Sequence, residues 1–588
     1  MSVNAGAINI DPAPNTASAK SELSTNINVG DEIYAENTTL NLNAGSEVDR
    51  KAYADTYTIG IGVASGRDRG KTSSKDAVSI SVGSNPSAGD SFNGLANLNI
   101  SAVNNPDSNL KALGAAGGIL NIASQSYAEN SSDNSASTSV NGSWNLTGDL
   151  TMLASVDESV RETARQGSGE IAGGSGVYVD NTIKGNSSAV VGTDAVINAS
   201  NVDISAKNVI DTNGFDGDKY ALVDYFGGGI VIDGLTSTLT YDRDAGVKIQ
   251  GSVNTTGDQT YTARSDGTVR NKIIAEGGSI GGSTIARSFS TVDYDDTIKL
   301  TGTLKSSGAL NAIANDAIAV DTSAVTKVGG GVEVLIGKTE STINRTNLIK
   351  VDGTVGSTND LTFNAGGTKD DLFSDQIQTK IDTLVETSNY SVVPISVNNA
   401  IAKINSNSQI DISSSGKVNG GSDVYLTANG GALSTFTTQY QWAWVDGGGT
   451  TSKQRLDSTG DNLLGTDHNF VNVDGVLTAG ASNPDINPDI VISIDGQAVP
   501  AGYSTSAAVS PLTISCSTDA VDISTGTVDY ANELSNRLSL INSLITDYTM
   551  GALSNEALSG YLLERQRILD KLDELGLLEY ATESAGKP

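Results

Sequence analysis

Val140-Asn141-Gly142-Ser143-Trp144-Asn145-Leu146-Thr147-Gly148-Asp149-Leu150 recurs in this chain as Ile249-Gln250-Gly251-Ser252-Val253-Asn254-Thr255-Thr256-Gly257-Asp258-Gln259. It recurs in shorter form as Leu300-Thr301-Gly302-Thr303-Leu304 and Val351-Asp352-Gly353-Thr354-Val355, and more loosely around Asp194 and Gly416. The marker position falls at Gly142, Asp194, Gly251, Gly302, Gly353 and Gly416, so the steps are 52, 57, 51, 51 and 63 residues. Each copy closes on an alanine: Ala154, Ala206, Ala263, Ala314, Ala365 and Ala428. A period of this size means a chain built by stacking one unit on the next.

The unit is made of strands. Apolar residues alternate in Val247/Ile249, in Ile349/Val351 with Val355, and again in Leu361/Phe363/Ala365. A period of two marks strands with one buried face. A second motif lies midway in each unit, as in Gly227-Gly228-Gly229-Ile230-Val231 and Gly329-Gly330-Gly331-Val332-Glu333-Val334. Gly173-Gly174 and Gly277-Gly278-Ser279-Ile280 are further instances. Glycine there allows positive φ at a corner or close approach of stacked backbones.

The expected fold is all-β: a parallel β-solenoid over residues 1–430, with units that cannot bury an apolar face alone. An antiparallel β-sandwich array is the alternative, but it calls for clearer linkers and hairpin dipeptides. A unit of this length is expected to hold two or three coils, giving some twenty coils and a rod on the order of 100 Å. Residues 431–525 read as an irregular β region with loops. Residues 526–588 read as an αα-hairpin, with Tyr530, Leu534, Leu538, Ile541 and Ile545 at helical spacing, then Leu558, Leu562, Leu569 and Leu572. Ser554 suits an N-cap and Gly576 a C′ position.

Composition agrees with a thin, strand-rich interior. The chain of 588 residues has 65 glycines and only 5% aromatic residues. Lys and Arg total 36 against 68 Asp and Glu, a net charge of −32. That sign excludes nucleic-acid binding and attraction to anionic membranes. No run of about 18 apolar residues offers a spanning helix. One Cys (Cys516) and one His (His468) leave neither an internal disulfide nor a zinc cluster nor a Ser/His/Asp triad. No acid pair stands out among so many, so the chain is not expected to be an enzyme.

Two weak site candidates remain. Asp211, Asn213, Asp216 and Asp218 place oxygen ligands around a glycine turn, as calcium loops do, without completing an EF-hand. Calcium is the one cofactor this sequence can suggest. Tyr440, Trp442 and Trp444 fall on one face of a strand, where rings stack on sugars or partner proteins.

Met1-Ser2-Val3-Asn4 has neither a basic start nor an apolar run. The chain therefore reads as a fragment of a longer exported protein. Repeats of the form Ile-x-Ile-x-Gly-x-Val followed by Asp-Leu-x-Leu-x-Ala, alternating with Gly-Gly-Gly-Val, resemble the filamentous-haemagglutinin-like adhesins of Gram-negative bacteria. Leukotoxin-type filamentous adhesins are the nearest likeness, over roughly residues 20–430. The resemblance implies a right-handed β-helix, secretion through an outer-membrane partner and display at the bacterial cell surface. It implies adhesion to receptors or glycans of host or neighbouring cells. Uncapped solenoid ends would also permit end-to-end stacking of copies.

Overall fold

The computed structural model describes residues 2–10, 15–30, 33–65, 67–83, 91–214, 222–366, 379–429, 441–445, 449–457, 469–480, 490–494, 497–498 and 512–515. All their strands belong to one sheet, and from the strand Ser2–Ile10 to Ile490–Ile494 the stack is built of parallel pairings. The closing alanines stand directly over one another: Ala44, Ala102, Ala154, Ala206, Ala263, Ala314, Ala365 and Ala428 form one buried column. Each repeat is therefore one winding, and it hydrogen-bonds to the repeat before and after it. This corrects the expectation of two or three coils per unit. The seven steps from Ala44 to Ala428 rise only about 34 Å at the inter-strand spacing, not the 100 Å of a thin rod. The arrangement is solenoid-like, with windings far wider than a minimal coil.

One winding has a corner and two long legs. The corner holds the opening motif. Its marker column is Gly142, Ala195, Gly251, Gly302, Gly353 and Gly416, so the stacked residue in the second copy is Ala195 and not Asp194. A Cβ at Gly302 would lie 1.9 Å from the Gly251 carbonyl oxygen, so stacking of the backbones demands glycine there. Two residues on, Trp144, Ile197, Val253, Leu304, Val355 and Val418 form an apolar column. Trp144 is fully buried and its indole N–H donates to the Asn141 carbonyl at 2.7 Å.

The acidic residue that ends the motif also has a stacking role. The backbone N–H of Asp149 donates to Asn97 Oδ1 (2.8 Å), that of Asn201 to Asp149 Oδ1 (3.1 Å), that of Asp258 to Asn201 Oδ1 (2.9 Å) and that of Ala309 to Asp258 Oδ1 (2.8 Å). Each side chain satisfies an exposed turn amide in the next winding. Ala309 accepts nothing onward, which interrupts the chain of bonds before Asp360. Ala309→Asn should restore it and add about 0.5–1.5 kcal/mol, read as a higher midpoint of urea unfolding.

From Leu150 the chain runs outward, turns near Gly173 and returns to Val191 within one assigned strand, Leu150–Val191. The two legs face each other. Val160 and Ile183 share one apolar cluster, and Ala164, Val177 and Val179 share another farther out. Polar belts cross between the legs on either side of the Val160/Ile183 cluster. Thr322 Oγ1 donates to Ser290 Oγ (2.8 Å), Thr383 Oγ1 to Ser341 Oγ (2.8 Å) and Ser187 Oγ to Asn208 Oδ1 (2.7 Å). Small hydroxyl and amide side chains let two parallel sheets approach closely while these polar groups bond across the gap.

The unequal steps have a simple origin. Asn213 pairs with Arg161 but Leu222 pairs with Ala164, so the extra residues of the 57-residue step fall between 213 and 222. Ala365 pairs with Ala314 but Lys380 pairs with Ala319, which places ten of the twelve extra residues of the 63-residue step between 365 and 380; Ile412 pairs with Val351 but Lys417 with Thr354, which places the other two between 412 and 417. Parallel pairing continues past residue 430 through Phe470–Val473, Val476–Ala479 and Ile490–Ile494. Gly449–Asp457 and Leu512–Ser515 add antiparallel pairings. The expected helical hairpin of residues 526–588 lies outside the described residues. Among those described, no helix is long and apolar enough to cross a membrane.

Candidate functional surfaces

The predicted calcium set is divided. Asp211 and Asn213 are alternate residues of the strand Val202–Asn213. Asp211 Oδ1 lies 3.1 Å from Nη1 of Arg270, and Asn213 Oδ1 accepts the Gly214 backbone N–H at 3.0 Å. Asp216 and Asp218 lie outside the described residues. Among the described residues, no group of three or more His, Cys, Asp or Glu side chains is placed to hold a metal. Of the aromatic set, Tyr440 lies outside the described residues. Trp442 and Trp444 belong to the strand Gln441–Val445, which pairs antiparallel with Gly449–Asp457, Trp442 opposite Ser452 and Trp444 opposite Thr450.

The returning leg carries an acid-rich cleft of about 440 Å³. Asp242 stands over Asp293 and Asp244 over Asp295, so four carboxylates make a two-by-two grid. Burial, then the charges of Asp295 and Asp242, raise the Asp244 carboxyl above its ordinary value. Lys184 Nζ lies 3.2 Å from Asp242. Asn344 Nδ2 donates to Asp293, and Asn405 Nδ2 donates to Asn344 Oδ1 at 2.6 Å. These contacts draw the carboxylates into axial ladders that tie windings together. No nucleophile or general base is set apart by them.

The midway glycine motif is the outer turn between the legs. None of its glycines has positive φ, so of the two roles expected for them the structure selects close approach. A Cβ at Gly229 would lie 2.3 Å from the Ile171 carbonyl oxygen, and one at Gly331 would lie 2.3 Å from that of Ile280. Two adjacent residues of each winding face outward here. The residues that flank them point in: Ser279, Val231 and Glu333 are buried. The outward residues are strongly apolar. Ile171, Ile230, Ile280, Val332 and Val392 are 64, 62, 76, 49 and 81% exposed. Ile119, Leu120, Ile232, Ile395 and Val397 add exposed aliphatic surface on and beside the same rim. The rim is invisible in any one repeat, because only the register between windings lines up the intervening Ile and Val residues.

The interior also holds a charged network unseen in the sequence. Arg50 Nη1 lies 3.2 Å from Asp76 Oδ2, Arg50 Nη2 lies 3.8 Å from Glu158 Oε1, and Arg243 pairs with Glu158 Oε2, all fully or nearly fully buried. Compared with known proteins, this chain matches no family model, no curated protein and no solved structure.

Proposed function

We propose that this chain is a structural segment, a stalk or filament piece, of a large secreted bacterial surface adhesin. What supports the reading is the continuity of the alanine column and the turn ladders from winding to winding. Side chains that catalysis or ligand binding would reserve are here spent on stacking. In this reading the windings are right-handed, as parallel crossovers almost always are. Residues 526–588 form the helical hairpin, and the adhesive partners are receptors or glycans of host or neighbouring cells. Immunogold labelling of bacteria producing the parent protein tests display: label is expected outside the outer membrane, and label confined within the cell would end the reading. A glycan array tests the division of labour. The purified chain is expected to bind no glycan, whereas selective binding abolished by Trp442→Ala or Trp444→Ala would favour a glycan-binding or polysaccharide-acting head.

A further inference from the structure

We propose that the glycine-rich rim is a side-by-side contact between two copies of this chain. The register gives the reason. Ile171, Gly229, Ile280, Gly331 and Val392 fall in one outward column. Beside it, Ala172, Ile230, Gly281 and Val332 fall in the next. From Ile171 to Val332 large and minimal residues alternate along each column and the two columns are out of phase, whereas at the ends Ile119 stacks on Ile171 and Val332 pairs with Val393. Over those four windings the result is a zigzag of knobs, each with a small residue beside it that leaves a hollow: Ala172, Gly229, Gly281 and Gly331. A two-fold-related copy displaced by one winding, about 4.8 Å, sets its knobs into those hollows. Such a surface is its own complement, as a closed dimer requires.

Close approach within the chain explains Gly229 and Gly331 but not Gly281. A Cβ at Gly281 would meet nothing nearer than the Val332 carbonyl oxygen at 3.7 Å, and its φ is not in the left-handed region. Nothing in this chain's own packing forbids a side chain there; a partner's knob would.

Area and charge agree. Ten aliphatic side chains, 40 to 81% exposed, leave an apolar strip on the order of 1,000 Å². That exceeds the few hundred Å² of an ordinary monomer patch and is comparable with the about 800 Å² per partner of a standard interface. No charged residue occurs from Gly227 to Ile232, from Gly277 to Ser283 or from Val328 to Val332. Glu170 beside Ile171 and the buried Glu333 beside Val332 are the acids next to the knobs, and on a molecule of net charge −32 a strip so poor in charge is where two copies can meet with few opposed carboxylates. Charge depletion is also the mark of an interface core.

Sedimentation velocity on the full chain from about 1 to 100 μM, bracketing a micromolar dissociation constant, tests this. The expected result is a monomer–dimer equilibrium. The double substitution Ile230→Ser/Ile280→Ser, which shaves two knobs, and separately Gly281→Leu, which fills a hollow, should each raise the dissociation constant at least tenfold with unchanged far-ultraviolet circular dichroism. A wild-type chain that stays monomeric throughout overturns the proposal. So does a dimer whose affinity neither variant changes, or an open-ended series of oligomers insensitive to both, which would signify end-to-end stacking. Flotation of a monomeric wild type with phosphatidylcholine vesicles, lost in both variants, would assign the rim to a lipid surface and overturn it equally.

Discussion

Arg243→Ala is expected to lower stability by about 3–5 kcal/mol, seen as a large drop in the midpoint of urea unfolding. The guanidinium and the carboxylate of Glu158 are both 0% exposed. Removing the cation leaves a carboxylate in a protein interior with too little positive charge around it. Arg50, at 3.8 Å from Glu158, is already engaged by Asp76 and by Ser108 Oγ at 2.7 Å. Asn134 Nδ2 donates to Glu158 Oε2 at 2.9 Å but carries no charge. The network spans four successive windings, so the loss would be felt along the stack and not within one unit. A buried pair is costly to break but cheap to replace. The double variant Arg243→Met/Glu158→Leu should therefore recover most of the loss. A single variant within about 1 kcal/mol of wild type, the range of an exposed ion pair, would show that Glu158 reaches water.

Stability should also fall as pH rises from about 5 to 9, and Glu162→Gln should flatten part of that fall. Glu162 lies buried between the legs, and desolvation pushes its carboxyl from an ordinary 4.5 up to about 8, the polar influence of the neighbouring Asn181 side chain opposing it. Below 4.5 both folded and unfolded chains hold the proton, and stability does not depend on it. Between 4.5 and about 8 the unfolded chain has released the proton while the folded chain keeps it. The folded state then binds more protons, and each pH unit removes about 1.4 kcal/mol of stability. Above about 8 the loss is complete. Asp296, raised well above its ordinary value by burial and then by the charge of Asp316, acts in the same direction. Asp233, pushed up to about 6 by burial, does so over a narrower window. Urea midpoints at pH 5, 7 and 9 for wild type and Glu162→Gln check this; parallel slopes would mean that Glu162 is ionised in the fold. The general self-repulsion of an acidic chain tilts both curves alike, so the difference between them isolates the one carboxyl.

How much of this was legible beforehand divides along a physical line. The stacked design could be read from Gly302, Gly353 and the closing alanines, because identical residues at a fixed step must occupy equivalent places. The width of a winding could not, because Gly-Gly pairs such as Gly173-Gly174 look like strand ends. They are instead the far turn between two legs of one continuous strand, Leu150–Val191. The interior charges were illegible because Glu158 and Arg243 are 85 residues apart, and a charged residue is by default expected outside. By the same default Glu162 and Asp296 belong outside, yet both are buried. Asp211 and Asn213 matched a calcium pattern by spacing alone. Spacing carries no information about Arg270, which reaches Asp211 from the neighbouring winding. The alternation of the rim is a property of register, and no single repeat contains it.

The bypasses between 213 and 222 and between 365 and 380 show how this architecture absorbs change. After each of them the ladder resumes in phase, so windings on either side keep their partners. Lengthening such a detour costs little, about 0.6 kcal/mol for each doubling. New sequence can therefore be grafted at these points during evolution without renegotiating any contact in the stack, and the molecule becomes a fixed frame along which lateral embellishments can vary.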